Sequence, residues 1–248
     1  AFGYNNLASG TDYRQTDVYS YKTEATLVSF FGRVNYGFMN RYMLTATLRR
    51  DGSSRFGDNH KWGTFPSVSV AWRVSDEPFM QATSGWLDNL KVRFGFGVTG
   101  NQNGIGEYKS LSILSASGAA YYDPTSKTWK NAYTQAQNAN PDLKWESTKQ
   151  WNLGIDFVLF SHLTGTLELY HKKTSDLLWT YPVPQPPYLV GTMLANVGDL
   201  VNKGVELTLG ANILKNKDFS LDANMSLSYN HQKITKLSHN SQPDQSTL

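Results

Sequence analysis

The sequence predicts an all-β fold, an antiparallel transmembrane β-barrel segment of about eight long strands with short periplasmic turns and long extracellular loops. Three observations carry this: a two-residue hydropathy rhythm, one shared phase for the mid-strand charges, and links that alternate between short and long. From 219 to 229, Phe219, Leu221, Ala223, Met225, Leu227 and Tyr229 alternate with Ser220, Asp222, Asn224, Ser226 and Ser228. One face wants hydrocarbon and the other wants water, which a strand provides and a helix does not.

The first segment, 26–38, carries apolar residues in both phases at its start, through Leu27 and Phe31. Segment 42–50 opens on Tyr42 and holds Arg49 in the polar phase. In 63–74, Pro66 lacks a donor, so a strand start or bulge is expected there, while Trp72 and Arg73 close the run. Segment 88–99 puts Lys91 and Arg93 in the polar phase. In 149–160, Trp151, Leu153, Ile155, Phe157 and Leu159 alternate with Gln150, Asn152, Gly154 and Asp156. Segment 163–172 adds Glu168 to the polar phase, 203–214 adds Glu206, and 219–230 adds Asp222. A Lys or Arg on the lipid face near midplane would cost about 2–4 kcal/mol, so this phasing has a strong physical cause. Each run is close to or above the ~9–11 residues that a tilted strand needs to cross a bilayer.

The links are very short near 40, long over 51–61, moderate over 76–87, very long over 100–148, short near 161, long over 174–202 and short near 216. Short links belong at the periplasmic end and long ones outside. Aromatics make up 13% of the chain, and Tyr42, Trp72, Trp86, Trp151, Phe160, Phe219 and Tyr229 fall near strand ends, where an interfacial girdle needs them.

Mean hydropathy is negative and no apolar run approaches about 20 residues, which excludes a helical bundle but not a barrel. A net charge of +3, dispersed along the chain, gives no nucleic-acid patch. The absence of cysteine is compatible with an oxidising envelope compartment. His60, His162, His171, His231 and His239 have no ligand spacing, so no metal site is expected. Gly95, Gly97 and Gly100 spell a dinucleotide fingerprint after a strand, but no helix begins there, and no cofactor is expected. No nucleophile elbow surrounds any serine, and catalysis is not expected. The start at Ala1 has no signal peptide and the end at Leu248 no aromatic closing strand, so the sequence reads as an internal piece of a longer protein.

The run from Arg50 through Asp51, Gly52 and Arg55 to Gly57, followed by Trp62 to Ser69 and Ala71 to Arg73, resembles the barrel signature of the SusC/RagA group of TonB-dependent transporters. Trp86 with Leu87, Leu90 to Arg93, Gly97 to Asn101, Trp145 to Thr148, Asn152 to Asp156, Tyr170 to Leu178 and Asn202 to Glu206 continue the resemblance in order. It implies that residues 1–248 are part of one barrel domain of about 22 strands, in the outer membrane of a Bacteroidetes-like Gram-negative cell, embedded in its lipid. It also implies a plug, a TonB energising complex that acts on that plug, a SusD-like surface lipoprotein as lid, and oligosaccharide or peptide cargo.

The physical reading of these motifs is plainer. The 51–57 stretch suits turn chemistry at the outer end of a hairpin. Gly204 would allow a bulge at a strand entry, and Glu206 would point inward to a lumenal arginine. Cargo contacts are expected from loop aromatics, foremost Tyr121, Tyr122, Trp129, Tyr133, Trp179 and Tyr181, with Tyr108, Trp145 and Tyr188 nearby. Gln135, Gln137 and Asn138 would supply amides for sugar hydroxyls. Packing of the loops is the default role for any one of these rings, and docking of a lid a further one. Pro182, Pro184, Pro186 and Pro187 predict a stiff extended run from 181 to 188. Active import is favoured; a passive porin or adhesin comes second, and a barrel enzyme third.

Overall fold

The computed structural model describes residues 22–215 and 217–237. The expected features at Ala1, near 216, at His239 and at Leu248 therefore lie outside the described residues. Ten strands are present among them: β1 Leu27–Phe38, β2 Tyr42–Ser53, β3 Trp62–Arg73, β4 Leu87–Asn101, β5 Ile113–Asp123, β6 Thr128–Gln137, β7 Glu146–Leu159, β8 Leu163–Pro182, β9 Thr192–Lys215 and β10 Ser220–Lys236. Eight form one antiparallel sheet in the order β1-β2-β3-β4-β7-β8-β9-β10, and β5 pairs with β6 in a separate hairpin. The eight expected segments map one to one onto the large sheet.

Cross-strand register turns the sequence rhythm into two faces. Leu153, Leu169, Val205 and Tyr229 stand in one row, and Ile155, Leu167, Leu207 and Leu227 in the next row of the same face. Between these rows, on the other face, run Arg93, Gly154, Glu168, Glu206 and Ser228. The apolar face is strongly exposed, with Met225 at 47% and Leu227 at 55%. Water would penalise such a surface, whereas a bilayer stabilises it.

One end of the sheet is made of tight links. Met39 and Asn40 take φ of 52° and 55°, and Phe160 and Ser161 take 52° and 57°. Each pair is closed by a backbone bond, Arg41 N–H to Phe38 O at 3.1 Å and His162 N–H to Leu159 O at 3.1 Å. Turns with both central residues at positive φ match the twist of antiparallel strands. Between β3 and β4 the chain forms two 3₁₀ turns, Val74–Asp76 and Pro78–Thr83. At this end Tyr42 stacks on Trp72 at 6.4 Å. The Tyr42 hydroxyl donates to Glu77 Oε1 at 2.6 Å and the Trp72 Nε1 donates to the same oxygen at 3.0 Å. Polar tips are tied to the turn while the rings face outward, as an interfacial girdle requires.

Several expectations are corrected. The 100–148 link is not all loop, because it contains β5 and β6. The 174–202 link is mostly a tall continuation of β8 and β9, paired up to Pro182 and Thr192. Pro66 lies inside β3 opposite Leu48, without a bulge; the ladder to β4 begins only at the next residue, Ser67, opposite Gly97. Gly204 is not a bulge but a mid-strand partner of Tyr170, and a Cβ there would meet the Tyr170 hydroxyl oxygen at 2.5 Å and the Tyr229 carbonyl oxygen at 2.4 Å. Glycine is required by that close approach. Residues 183–191 reverse the chain rather than extend it.

Candidate functional site

Opposite the tight turns lies the long-link end, a mouth built on its own small apolar core. Above the last paired residues, Ser67 and Gly97, β3 and β4 no longer pair. Phe65 fills the space beside them and packs with Phe56, Ile105, Leu143 and Trp145; Leu178 and Leu194 flank the cluster. Phe56 lies 4.5 Å from Trp145, and Phe65 meets Trp145 edge-on at 5.5 Å. Phe56 and Leu143 are fully buried. Burying such side chains contributes roughly 1.5–3 kcal/mol each.

The 51–57 stretch turns at the outer end of the β2–β3 hairpin, as expected, and it also forms the base of the mouth. Asp51 is buried and paired with Arg49 at 2.8 Å. Arg55 bridges Glu107 at 2.8 Å. The Glu107 carboxyl is held below its ordinary range, first by its own backbone N–H and then by Arg55. Gly57 donates its N–H to Leu143 O at 2.9 Å, and a Cβ on it would lie 2.0 Å from Pro141 O. No other residue type fits so close a backbone approach.

Three buried asparagines then fasten the mouth elements together. Asn140 donates to Leu194 O at 2.8 Å. Asn138 donates to Thr192 O at 3.0 Å and accepts from Val190 N–H at 3.3 Å. Asn196 donates to both Lys144 O and Asp176 O at 2.8 Å, while accepting from Lys144 N–H at 3.0 Å. Segment 138–144 thus runs beside the upper part of β9 through side-chain amides that mimic a ladder. Asn140 and Asn196 were missed by the sequence reading, whose only available signal was the turn dipeptide Asn140-Pro141.

The expected cargo amides are corrected by the same geometry. Gln137 donates to Tyr108 O at 2.9 Å and Leu111 O at 2.7 Å, and Gln135 donates to Gln137 O at 3.0 Å. These amides, with Asn138, hold the loops to one another.

The candidate rings fall into two groups. Tyr121, Tyr122, Trp129 and Tyr133 sit on the β5–β6 hairpin, with Tyr122 and Trp129 meeting edge-on at 5.6 Å. Tyr121 stands opposite Lys130, in the other phase from that pair. Trp129 is 71% and Tyr133 68% exposed, and they share a phase of β6, leaving flat apolar surface open. Trp179 and Tyr181 project from the upper part of β8, Trp179 exposed and Tyr181 half-buried. Trp145 belongs to the buried core, not to the open set.

Below the mouth the polar face carries an ion-pair network. Arg93 grips Asp156 with Nε at 2.8 Å and Nη2 at 2.9 Å, and reaches Glu168 at 2.9 Å. Lys91 joins Asp156 at 3.2 Å. Glu168, not Glu206, makes the expected arginine bridge; Glu206 is exposed and has no ion pair among the described residues.

An apolar exposed face, a polar charged face, a girdle at the short-turn end and a built mouth define the wall of an outer-membrane β-barrel. The chain belongs to the TonB dependent receptor-like β-barrel family, whose model matches residues 1–247. It is similar to the TonB-dependent receptor SusC of Bacteroides thetaiotaomicron, 40% identical over 222 residues, covering 88% of this chain and 22% of that one. It is also similar to TonB-dependent receptor P39 of Formosa agariphila, 35% identical over 235 residues and covering 94% of this chain and 21% of the relative. Among solved structures, the RagAB peptide importer in an open-open state superposes with a TM-score of 0.80 at 30% identity, over 93% of this chain and 24% of that one. The chain therefore spans about a fifth of the length of the relatives it matches. This places it among SusC/RagA-like outer-membrane barrels, as the motifs imply.

Proposed function

We propose that this chain is wall and mouth of a single barrel domain in a TonB-energised importer that brings oligosaccharides or peptides across the outer membrane. The similarity to SusC, spread over 88% of the chain rather than confined to one motif, is the observation that carries this reading. A plug lodged in the lumen would rest against the polar face, and a SusD-like lipoprotein would close over the mouth. The exposed rings Trp129 and Tyr133, with Tyr121, Tyr122, Trp179 and Tyr181, would meet cargo or lid. Because Gln137 and Asn138 are engaged within the loops, hydroxyl recognition by amides no longer favours sugars, and both cargo classes stand. Catalysis forms no part of this function.

Uptake by cells carrying the full-length gene tests it, with labelled oligosaccharides and labelled peptides supplied separately and TonB present or deleted. Uptake of one class that disappears without TonB supports the importer. Uptake indifferent to TonB would replace it with a passive porin.

A further inference from the structure

The outward apolar face ends in two rows that carry lysines. Four successive outward rows of β8 and its neighbours hold only apolar or glycine residues along Leu163, Gly165, Leu167 and Leu169. The next row sets His171 beside Lys203 and His231. The row beyond it sets Lys149 directly opposite Lys173, with Lys233 two strands further on.

Height fixes where these rows lie. From Leu163 to Lys173 the strand advances roughly 34 Å, which a 35–45° tilt reduces to about 24–28 Å along the membrane normal. The hydrocarbon band of such barrels is about 25 Å tall, so the cations stand at its upper edge. That edge is the outer leaflet, because the long links lie beyond it.

Charge on this patch is unbalanced. Lys173 has an acidic partner, Asp199, at 3.4 Å. Lys149, Lys203 and Lys233 are exposed, and their side chains have no ion pair or hydrogen bond among the described residues. Like charges directly opposite across an antiparallel pair are destabilising; Asp199 answers Lys173, and Lys149 facing it is left calling for an anion.

We propose that these two rows bind the phosphate groups of an outer-leaflet glycolipid, whose acyl chains lie along the apolar rows beneath. The lysines would reach up to the phosphates, while Leu169 and the rows below it continue the chain-covered surface. This rests on the outer-membrane placement of the sheet and is independent of whether import is energised.

The test is native mass spectrometry of the full-length protein, delipidated in mild detergent and titrated with bisphosphorylated lipid A, its dephosphorylated counterpart and phosphatidylethanolamine. Each lysine near a charged lipid surface contributes about a fivefold preference, so K149Q/K203Q/K233Q should weaken binding of the phosphorylated glycolipid on the order of a hundredfold. A variant with the same charge change elsewhere, K22Q/K109Q/K127Q, should bind as the parent does. Should the first variant assemble poorly, the parent's own binding must still fall as salt rises. Equal binding of all three lipids by the parent, indifference to salt, or an unaltered K149Q/K203Q/K233Q would overturn the proposal.

Discussion

The guanidinium of Arg93 lies across Gly154, so close that a Cβ on that glycine would come within 2.9 Å of the guanidinium carbon. The glycine is the floor on which the Arg93–Asp156–Glu168 network rests. Replacing it with valine should tilt the guanidinium off Asp156 and Glu168. Because Arg93 is about a third exposed, the loss is modest, about 1 kcal/mol, rather than that of a fully buried pair. Heat-dependent migration of the folded barrel on gels checks this: G154V should unfold at a lower temperature, and G154A should fall between it and the parent.

Leu143 is wholly buried beneath the mouth. Leu143→Ala should cost about 2–5 kcal/mol of local stability, through lost contact and the cavity left behind. Hydrogen exchange should rise around Phe56 and Trp145 and stay unchanged in β7 to β10 below.

The asparagine clamp predicts a separable failure. Asn196→Ala removes two donated bonds and one accepted bond, leaving the half-buried carbonyls of Lys144 and Asp176 without these partners, at about 1 kcal/mol each. Limited proteolysis should then cut within 102–145 while the barrel remains intact. Equal resistance in parent and variant would show the clamp to be unimportant.

The Glu77 carboxyl is held below its ordinary range by hydrogen bonds from Tyr42 first and Trp72 next. A depressed folded value means this turn gains stability above the unfolded carboxyl pKa, and loses it as pH falls through the folded one. The protection of amides at Val74–Thr83, taken relative to their intrinsic exchange rate at each pH, should therefore fall on acidification. In Glu77→Gln that protection should be low and unchanged by pH over the same range.

Trp129 and Tyr133 are open, so Ala at both should leave the melting of the barrel unchanged. Uptake of cargo should slow, by an amount that the rates of the single variants apportion. Gln137→Ala should act the other way, loosening the hairpin without touching cargo.

What the sequence made legible follows from where the bilayer acts. In β9 and β10 one face meets lipid, so Val205, Leu207 and Leu209 alternate cleanly with Glu206 and Thr208. Above the membrane both faces of β8 and β9 meet water or loop, the alternation fades, and paired strand reads as loop. β5 and β6 are hidden for the same reason, with small and polar residues breaking the rhythm and a register shift between Ala116 and Ala120. The aromatics of the mouth were found as residues, but their fates were not. Trp145 sinks into the core because Phe56 and Phe65 converge on it from β3 and the segment before it. Asn196 finds Lys144 across 52 positions, a distance no local pattern spans. The lysines in the outward phase, Lys149 and Lys203, sit at segment ends, where the rule about mid-strand charges does not reach.

The central claim is that this chain is a membrane-crossing wall with its long links outside and its tight turns within. This chain contains no cysteine, so single cysteines report cleanly once any elsewhere in the full-length protein are replaced. Tyr133→Cys and Ser84→Cys would be exposed to a bulky membrane-impermeant maleimide on intact cells and again after the outer membrane is permeabilised. The account predicts that Tyr133→Cys labels at once and Ser84→Cys only after permeabilisation. Labelling of both positions on intact cells, or the reverse order, would contradict it.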